Sequence, residues 1–156
     1  MNNILQITLK NKKDYINSFN NDRISRDLND YILEESKTFN IKKKIEIRIK
    51  PEFEMTEEEK NKLVDMIRLS YNDDVKEISY LIKKLITRNI FMFLLGLFIL
   101  ILYYFESNLP IMSEVILIIG WVLIWETIYN LFFAGLKNST IKKRRLQLVN
   151  SNISFE

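Results

Sequence analysis

Two side chains in the second half of the chain could do chemistry in an unusual setting. Glu126 and Asn130 lie within residues 120–133, a segment that is otherwise mostly apolar. On a helix, residues four apart share a face, so the Asn130 amide can donate a hydrogen bond to the Glu126 carboxylate. One amide donor leaves most of the hydrogen-bond acceptor positions of a carboxylate without a partner. The pair is therefore a candidate polar site inside a membrane, where ionisable groups often line an ion or proton path.

Three explanations of Glu126 are open from the sequence. In the first, burial in hydrocarbon disfavours the charged form, so the carboxyl group is protonated. In the second, the carboxylate meets copies of itself and water at the centre of an oligomer. In the third, the span covers about residues 111–130 and Glu126 reaches the cytosolic interface near Arg88. Trp121, Trp125 and Tyr129 then form the inner aromatic belt.

The neighbour of Glu126 depends on how the apolar segments pair. If an antiparallel hairpin places Ile90 opposite Leu136, Glu126 lies beside Leu100, where the first segment offers aliphatic side chains only. Gly96 would permit close approach of the two helices there but supplies no donor.

Enzymatic chemistry is not expected. The chain has no histidine and no cysteine, which removes the commonest general base, thiol nucleophiles and the usual transition-metal ligands. Its three glycines all lie in apolar segments, so there is no glycine-rich phosphate loop. The acidic run at residues 52–59 does not have the order of a calcium loop. We predict no catalytic residue, no metal site and no cofactor.

Two apolar segments are long enough to cross a membrane. Residues 90–109 give about 20 residues, or about 30 Å of helix, and residues 111–136 form the second candidate span. Residues 106–114 contain Pro110 and no lysine or arginine, which predicts a tight external turn. The chain is thus predicted to form a transmembrane helical hairpin over residues 90–136.

Basic residues on both sides of the hairpin predict its orientation. By the positive-inside rule, both termini are cytosolic, and the asparagine, isoleucine and lysine content suggests a bacterial cytoplasmic membrane. The basic cluster after the second span suits anionic headgroups better than nucleic acid, since the net charge is only +3. The predicted membrane-interface anchors are Lys83, Lys84, Arg88, Trp121, Trp125, Lys142, Lys143, Arg144 and Arg145.

Residues 1–89 have the pattern of a cytosolic domain. Apolar residues alternate at residues 5–9 and 45–49, which predicts a short edge strand and a second strand over residues 43–50. Residues 11–21 are polar, with a helical turn expected at residues 15–19. Asp22 is expected to cap a helix that ends near Ser36. A capping box of Thr56 and Glu59 begins another helix, which residues 72–74 are expected to interrupt.

The segment that leads into the membrane carries an apolar seam. Val75, Ile78, Ile82 and Leu85 have helix–helix spacing, and they contact either another helix or the domain's own sheet. Residues 137–156 form a basic tail whose last residues alternate and could add a strand to the sheet. The predicted fold is an α+β cytosolic domain, with order β-α-β-α and a C-terminal strand if it forms, followed by the two-span hairpin.

Three parts of the sequence carry a resemblance to a known group. These are residues 26–31 (RDLNDY), residues 60–67 (KNKLVDMI), and the pair Gly120-Trp121 with residues 125–130 (WETIYN). They resemble small uncharacterised two-span membrane proteins of low-GC Gram-positive bacteria. The likeness covers most of the chain and implies the topology; that group has no established activity or site to carry over.

Two functions are compatible with these features. The first is a two-pass inner-membrane protein whose cytosolic domain binds a protein partner or small ligand and is held at the membrane as a homo-oligomer. The second is a pore-forming effector, such as a toxin or an antiphage cell-death component, with Glu126 and Asn130 in the path. A transporter is less well supported, because a single hairpin has no internal repeat.

Overall fold

The chain folds into two compact units. The computed structural model describes residues 3–105 and 110–156. The first unit contains the residues up to Glu77 together with Ile141–Glu156, and the second contains Ile78–Thr140. Of the external turn expected at residues 106–114, residues 106–109 lie outside the described residues; residues 110–114 begin a helix (Pro110–Tyr129), so the expectation of a turn there is wrong.

The first unit is built on a three-stranded parallel sheet. Strand β1 (Asn3–Leu9) pairs with a later strand, Ile45–Pro51, and that strand pairs on its other side with Asn152–Phe155. The order in the sheet therefore places residues 45–51 at the centre, with β1 on an edge as predicted. Alternation explains the buried face, because Ile45, Ile47 and Ile49 are each 1% exposed or less.

Residues 11–24 form a small ribbon that the sequence did not predict. A 3-10 turn at Lys12–Asp14 is followed by β2 (Ile16–Asn17) and β3 (Asn20–Ile24), which pair antiparallel. The expected helical turn at residues 15–19 is therefore wrong. The expected cap at Asp22 is also wrong: Asp22 lies in β3, and the Ser25 hydroxyl accepts from the Leu28 N–H to begin α1 (Arg26–Lys37).

One long helix follows the central strand, which we label β4 (Ile45–Pro51). This helix, α2 (Glu57–Phe105), begins at the predicted capping box: the Thr56 N–H donates to Glu59 and the Glu59 N–H donates to the Thr56 hydroxyl. The predicted interruption at residues 72–74 is wrong. Asp73 accepts from Arg23 at 2.6 Å and Asp74 lies 2.9 Å from Arg145, so these aspartates are paired instead of breaking the helix.

The core lies between the sheet and the helices of the first unit. Leu28 and Ile32 of α1, and Leu63, Ile67 and Tyr71 of α2, are all 6% exposed or less. Their four-residue steps place one stripe of each helix against the sheet. Leu148, which is fully buried, joins the same core from the far end of the chain.

The second unit is helical. It contains the later part of α2 and α3 (Pro110–Tyr129), a π-helical turn at Asn130–Ala134, and the start of α4 (Gly135–Val149). Strand β5 (Asn152–Phe155) follows α4 in the first unit. Two helical stretches, Glu57–Tyr104 and Glu114–Val149, are long and apolar enough to cross a membrane. The small sheet and the two such helices agree with the predicted fold class at this level.

Candidate functional site

The helices of the second unit approach most closely at two glycines. A Cβ atom added to Gly96 would lie 3.2 Å from the Gly120 carbonyl oxygen and 3.0 Å from Ile124. A Cβ atom added to Gly120 would lie 2.6 Å from a methyl group of Leu100. At Gly96 a side chain would press on the backbone of the other helix, whereas at Gly120 it would first displace the Leu100 side chain; the absence of both side chains lets α2 and α3 approach closely here.

This contact fixes a register different from the expected one. Gly96 lies opposite Gly120, and a small cavity of about 230 Å³ is lined by Asn89, Ile90 and Phe93 on one side and by Thr127 and Leu131 on the other. The expected pairing of Ile90 with Leu136, which set Glu126 beside Leu100, is therefore wrong. Glu126 lies close to the level of Ile90 instead.

Glu126 and Asn130 form the predicted hydrogen bond. The Asn130 amide donates to a Glu126 carboxylate oxygen at 2.8 Å. Glu126 is exposed on the surface of the helix, and its apolar neighbours Trp125 and Tyr129 are also exposed. The carboxylate thus lies on the outer surface of the helix pair and not between the two helices.

A π-helical turn begins at Asn130, directly after this pair. In a π-helix the hydrogen bonds join residues five apart, which shifts the faces of everything that follows by about one residue. The turn, Asn130–Ala134, contains no proline or glycine that would cause it. Such turns often accompany functional sites in helices.

The most buried polar residues of the second unit are ones that sequence reasoning missed. Asn89 is 1% exposed and Thr127 is 2% exposed. Asn89 donates to the Leu85 carbonyl at 2.8 Å, and Thr127 donates to the Leu123 carbonyl at 2.8 Å. Each polar group is satisfied within its own helix, as an apolar environment requires. The sequence does contain a signal for them, because Asn89 directly precedes one apolar segment and Thr127 lies within the other.

The faces of these two residues locate Arg88 relative to Glu126. Asn89 and Thr127 each point toward the other helix, and the preceding residues, Arg88 and Glu126, lie about 100° away on their helices. Because the two helices run antiparallel, the step back by one residue turns the side chain toward the same side of the helix pair on both helices. Arg88 and Glu126 therefore share one side of the helix pair and a similar level.

The other predicted anchors of the second unit are exposed. Lys83, Lys84 and Arg88 are exposed on α2, as Trp121 and Trp125 are on α3, with the tryptophans 52% and 64% exposed. Nothing in their packing prevents the amphipathic side chains from lying at a membrane interface. Their role as anchors stays a prediction.

The basic cluster after the second span divides into two kinds of residue. Arg144 donates to the Phe39 carbonyl and to Gln147, each at 2.9 Å, and Arg145 is paired with Asp74. These two arginines are thus engaged within the first unit; their predicted contact with headgroups stays a prediction. Lys143 is exposed and Lys142 is partly exposed.

A partly buried polar cluster forms around Arg145. Its guanidinium carbon lies 5.8 Å from the centre of the Tyr71 ring, and its Nε lies 2.9 Å from Asp74. Burial raises the pKa of Tyr71 and of Asp74, and for Asp74 it outweighs the attraction of Arg145. Among the described residues, the buried Tyr71 hydroxyl has no hydrogen-bond partner. No pattern in the sequence predicts this cluster, because its members come from distant parts of the chain.

Replacing Tyr71 by phenylalanine should therefore leave the stability of the first unit unchanged or raise it by about 1 kcal/mol. The substitution removes a buried hydroxyl that forms no hydrogen bond but keeps the ring that packs in the core. Urea unfolding of the detergent-solubilised chain measures the effect. A loss greater than about 1 kcal/mol would mean that the hydroxyl is bonded in solution.

The first unit also carries an open cleft of about 750 Å³ along α2. Its floor contains Met66, Leu69 and Val149, and Leu69 is 43% exposed. The rim mixes both signs of charge: Asp22, Glu58, Asp65, Lys62 and Arg68. An apolar floor with a charged rim is the usual composition of a binding surface.

No acidic cluster that could hold a metal ion is present within residues 3–105 and 110–156. The predicted absence of a metal stays a prediction. Comparison with protein-family models, with curated proteins and with solved structures gives no match for this chain.

Proposed function

We propose that the chain is a two-span membrane protein that holds a cytosolic α/β module at the membrane. In this function the first unit recognises a protein partner or small ligand, and the helices of the second unit anchor it and associate with other copies. The protein is not an enzyme and needs no cofactor. The resemblance to small two-span membrane proteins is consistent with this proposal.

The pairing of β4 carries the proposal. Its neighbours in the sheet are β1, which lies before the two apolar helices, and β5, which lies after them. Strands that share a sheet must lie on the same side of a membrane. The intervening chain therefore crosses an even number of times, and the two apolar helices supply two crossings.

The exposed surface of the helices supports a lipid environment. Only 11% of the apolar window in the first stretch and 17% in the second is buried inside the chain. A core helix of a soluble protein would be mostly covered by its own fold. Apolar surface on this scale must be covered by lipid or by other copies.

The charges favour a cytosolic location for the first unit. Residues 90–136 contain no lysine or arginine, whereas both flanks carry them. The positive-inside rule places both flanks in the cytosol. The composition points to a bacterial cytoplasmic membrane.

The shared side of Arg88 and Glu126 favours the interfacial explanation of Glu126. A carboxylate at the level of the last basic residue before the span can reach water or a cation, so it need not be buried in hydrocarbon. In an oligomer the same carboxylate could pair with Arg88 of a neighbouring copy.

Cysteine accessibility tests the topology. The chain has no cysteine, so single substitutions Lys10→Cys, Asn152→Cys and Ser107→Cys each give one labelled position. In intact cells, a membrane-impermeant maleimide should label Ser107→Cys, while the other two should react only after permeabilisation. Labelling of Lys10→Cys and Ser107→Cys from the same side would contradict the two-span arrangement.

The exposed carboxylate on α3 favours one alternative, a membrane-permeabilising effector. Copies that assemble around Glu126 and Asn130 would line a polar path across the membrane. The two functions differ in what the loss of this carboxylate does.

Induced expression with a potential-sensitive dye separates these functions. For an anchor, wild type, Glu126→Leu and the matched control Glu114→Leu should all leave the membrane potential unchanged at equal protein levels. If wild type depolarises the cells and only Glu126→Leu does not, the effector function replaces the anchor.

A further inference from the structure

The tip of the β2–β3 ribbon presents an aromatic side chain entirely to solvent. Phe19 is 98% exposed and lies, with Ser18, in the two-residue loop between the strands. A phenylalanine with this exposure contributes nothing to the core of its own domain. Its ring is available to a surface outside the chain.

The structure holds this ribbon in place. At its base, Tyr15 and Ile24 are each 4% exposed, and the Ser25 N–H donates to the Tyr15 carbonyl at 2.8 Å. At its tip, the Phe19 N–H donates to the Asn17 side chain at 2.9 Å. An anchor whose backbone is fixed before binding loses less entropy when it binds.

Two ion pairs fasten the ribbon to α2. Asp22 lies 3.1 Å from Lys62, and Arg23 lies 2.6 Å from Asp73. Asp22 and Lys62 also line the open cleft along α2. Because three residues of chain span at most about 10 Å, Phe19 lies close to the wall of this cleft. The ring does not enter the cleft of its own copy, since it is exposed.

We propose that Phe19 of one copy occupies this cleft on a second copy of the chain. A two-fold interface needs a patch that complements itself, with the projecting group and its receptor on the same part of the surface. The adjacency of Phe19 and the cleft meets this condition. The apolar floor formed by Met66, Leu69 and Val149 receives the ring.

The charges of the rim are compatible with a second copy. The cleft carries Lys62 and Arg68 beside Asp22, Glu58 and Asp65, so its charges nearly balance and two facing copies repel each other little through net charge. Confinement to one membrane raises the effective concentration of the copies. The inference rests on the proposed function only for this confinement.

Disulfide cross-linking between two tagged forms of the full chain tests the interface. One form carries Ser18→Cys beside Phe19, and the other carries Asn72→Cys in the cleft lining. Each chain has a single cysteine, so a disulfide between the two tags joins two copies. Co-reconstituted in vesicles and oxidised, they should form a mixed dimer. The control pair, Ser18→Cys with the exposed position Lys37→Cys, should not.

Removal of the Phe19 ring should lower the yield of the mixed dimer by about tenfold or more. Phe19→Ala in the Ser18→Cys chain removes the anchor at a position that no core contact needs. Leu69→Asp in the Asn72→Cys chain should have a similar effect from the cleft side. A yield unaffected by Phe19→Ala, or no higher than that of the control pair, overturns the proposal.

Lipid is the other surface that Phe19 could meet. A polarity-sensitive dye can be attached to Ser18→Cys in vesicles that hold one chain each, where no second copy is present. A blue shift of its emission there would show that the tip contacts lipid and would overturn the dimer. These results are separate from the topology. If the cysteines label as the two-span topology predicts but no mixed dimer forms, only this interface is contradicted. If the mixed dimer forms but the labelling contradicts the two-span topology, only the proposed function is contradicted.

Discussion

A chain that ends at Asn150 should lose about 3–5 kcal/mol of stability in the first unit. The truncation removes β5, whose Ile153 and Phe155 pack against the core and whose backbone pairs with β4. It leaves one side of the central strand without a neighbour. A loss of this size is a large part of the total stability of a small domain.

Glu156→Gln is the matched control for this truncation. Glu156 lies 3.2 Å from Arg48 and is half exposed, so the ion pair should contribute less than about 1 kcal/mol. Hydrogen exchange of the amides of β4 compares the two variants. Equal protection in wild type and in the truncated chain would show that β5 does not stabilise the sheet.

Gly96→Leu should separate α2 from α3 and lower the stability of the helix pair by about 1–3 kcal/mol. The new side chain would collide with the Gly120 carbonyl oxygen and with Leu123, each 3.2 Å from the position of its first carbon. A backbone oxygen cannot move aside as the end of a flexible side chain can. The helices must therefore shift.

Gly135→Leu controls for the change of residue type. A Cβ atom at Gly135 meets nothing within 4 Å, so the same substitution there should be neutral or slightly stabilising through helix propensity. Thermal unfolding in detergent compares the variants. If Gly96→Leu and Gly135→Leu unfold at the same temperature, the glycine contact does not hold the helices together.

The features that the sequence predicted are those with local causes. The burial of Ile45, Ile47 and Ile49 follows from alternation, and the start of α2 follows from Thr56 and Glu59. The bond between Asn130 and Glu126 follows from their spacing on one helix. Each of these needs only neighbouring residues, so a single sequence was sufficient.

The errors came from contacts between distant residues. Asn72, Asp73 and Asp74 have a turn-forming composition, but they lie inside α2, directly after the fully buried Tyr71, and the two aspartates pair with Arg23 and Arg145. The β2–β3 ribbon has little apolar alternation, and its base is held by the burial of Tyr15 and Ile24 in the core of the first unit. The register of the helix pair depends on where Gly96 meets Gly120, which no spacing within either helix specifies.

The position of β5 in the chain has a consequence for biosynthesis. Arg48 and Glu156 pair although 108 residues separate them, and both apolar helices lie between. During translation, β1 and β4 therefore emerge before both apolar helices, and one edge of β4 stays open to unwanted pairing until β5 is made. The sheet can be completed only after both apolar helices have been synthesised. In the proposed membrane protein, completion of the α/β module would therefore come after the synthesis of both spans.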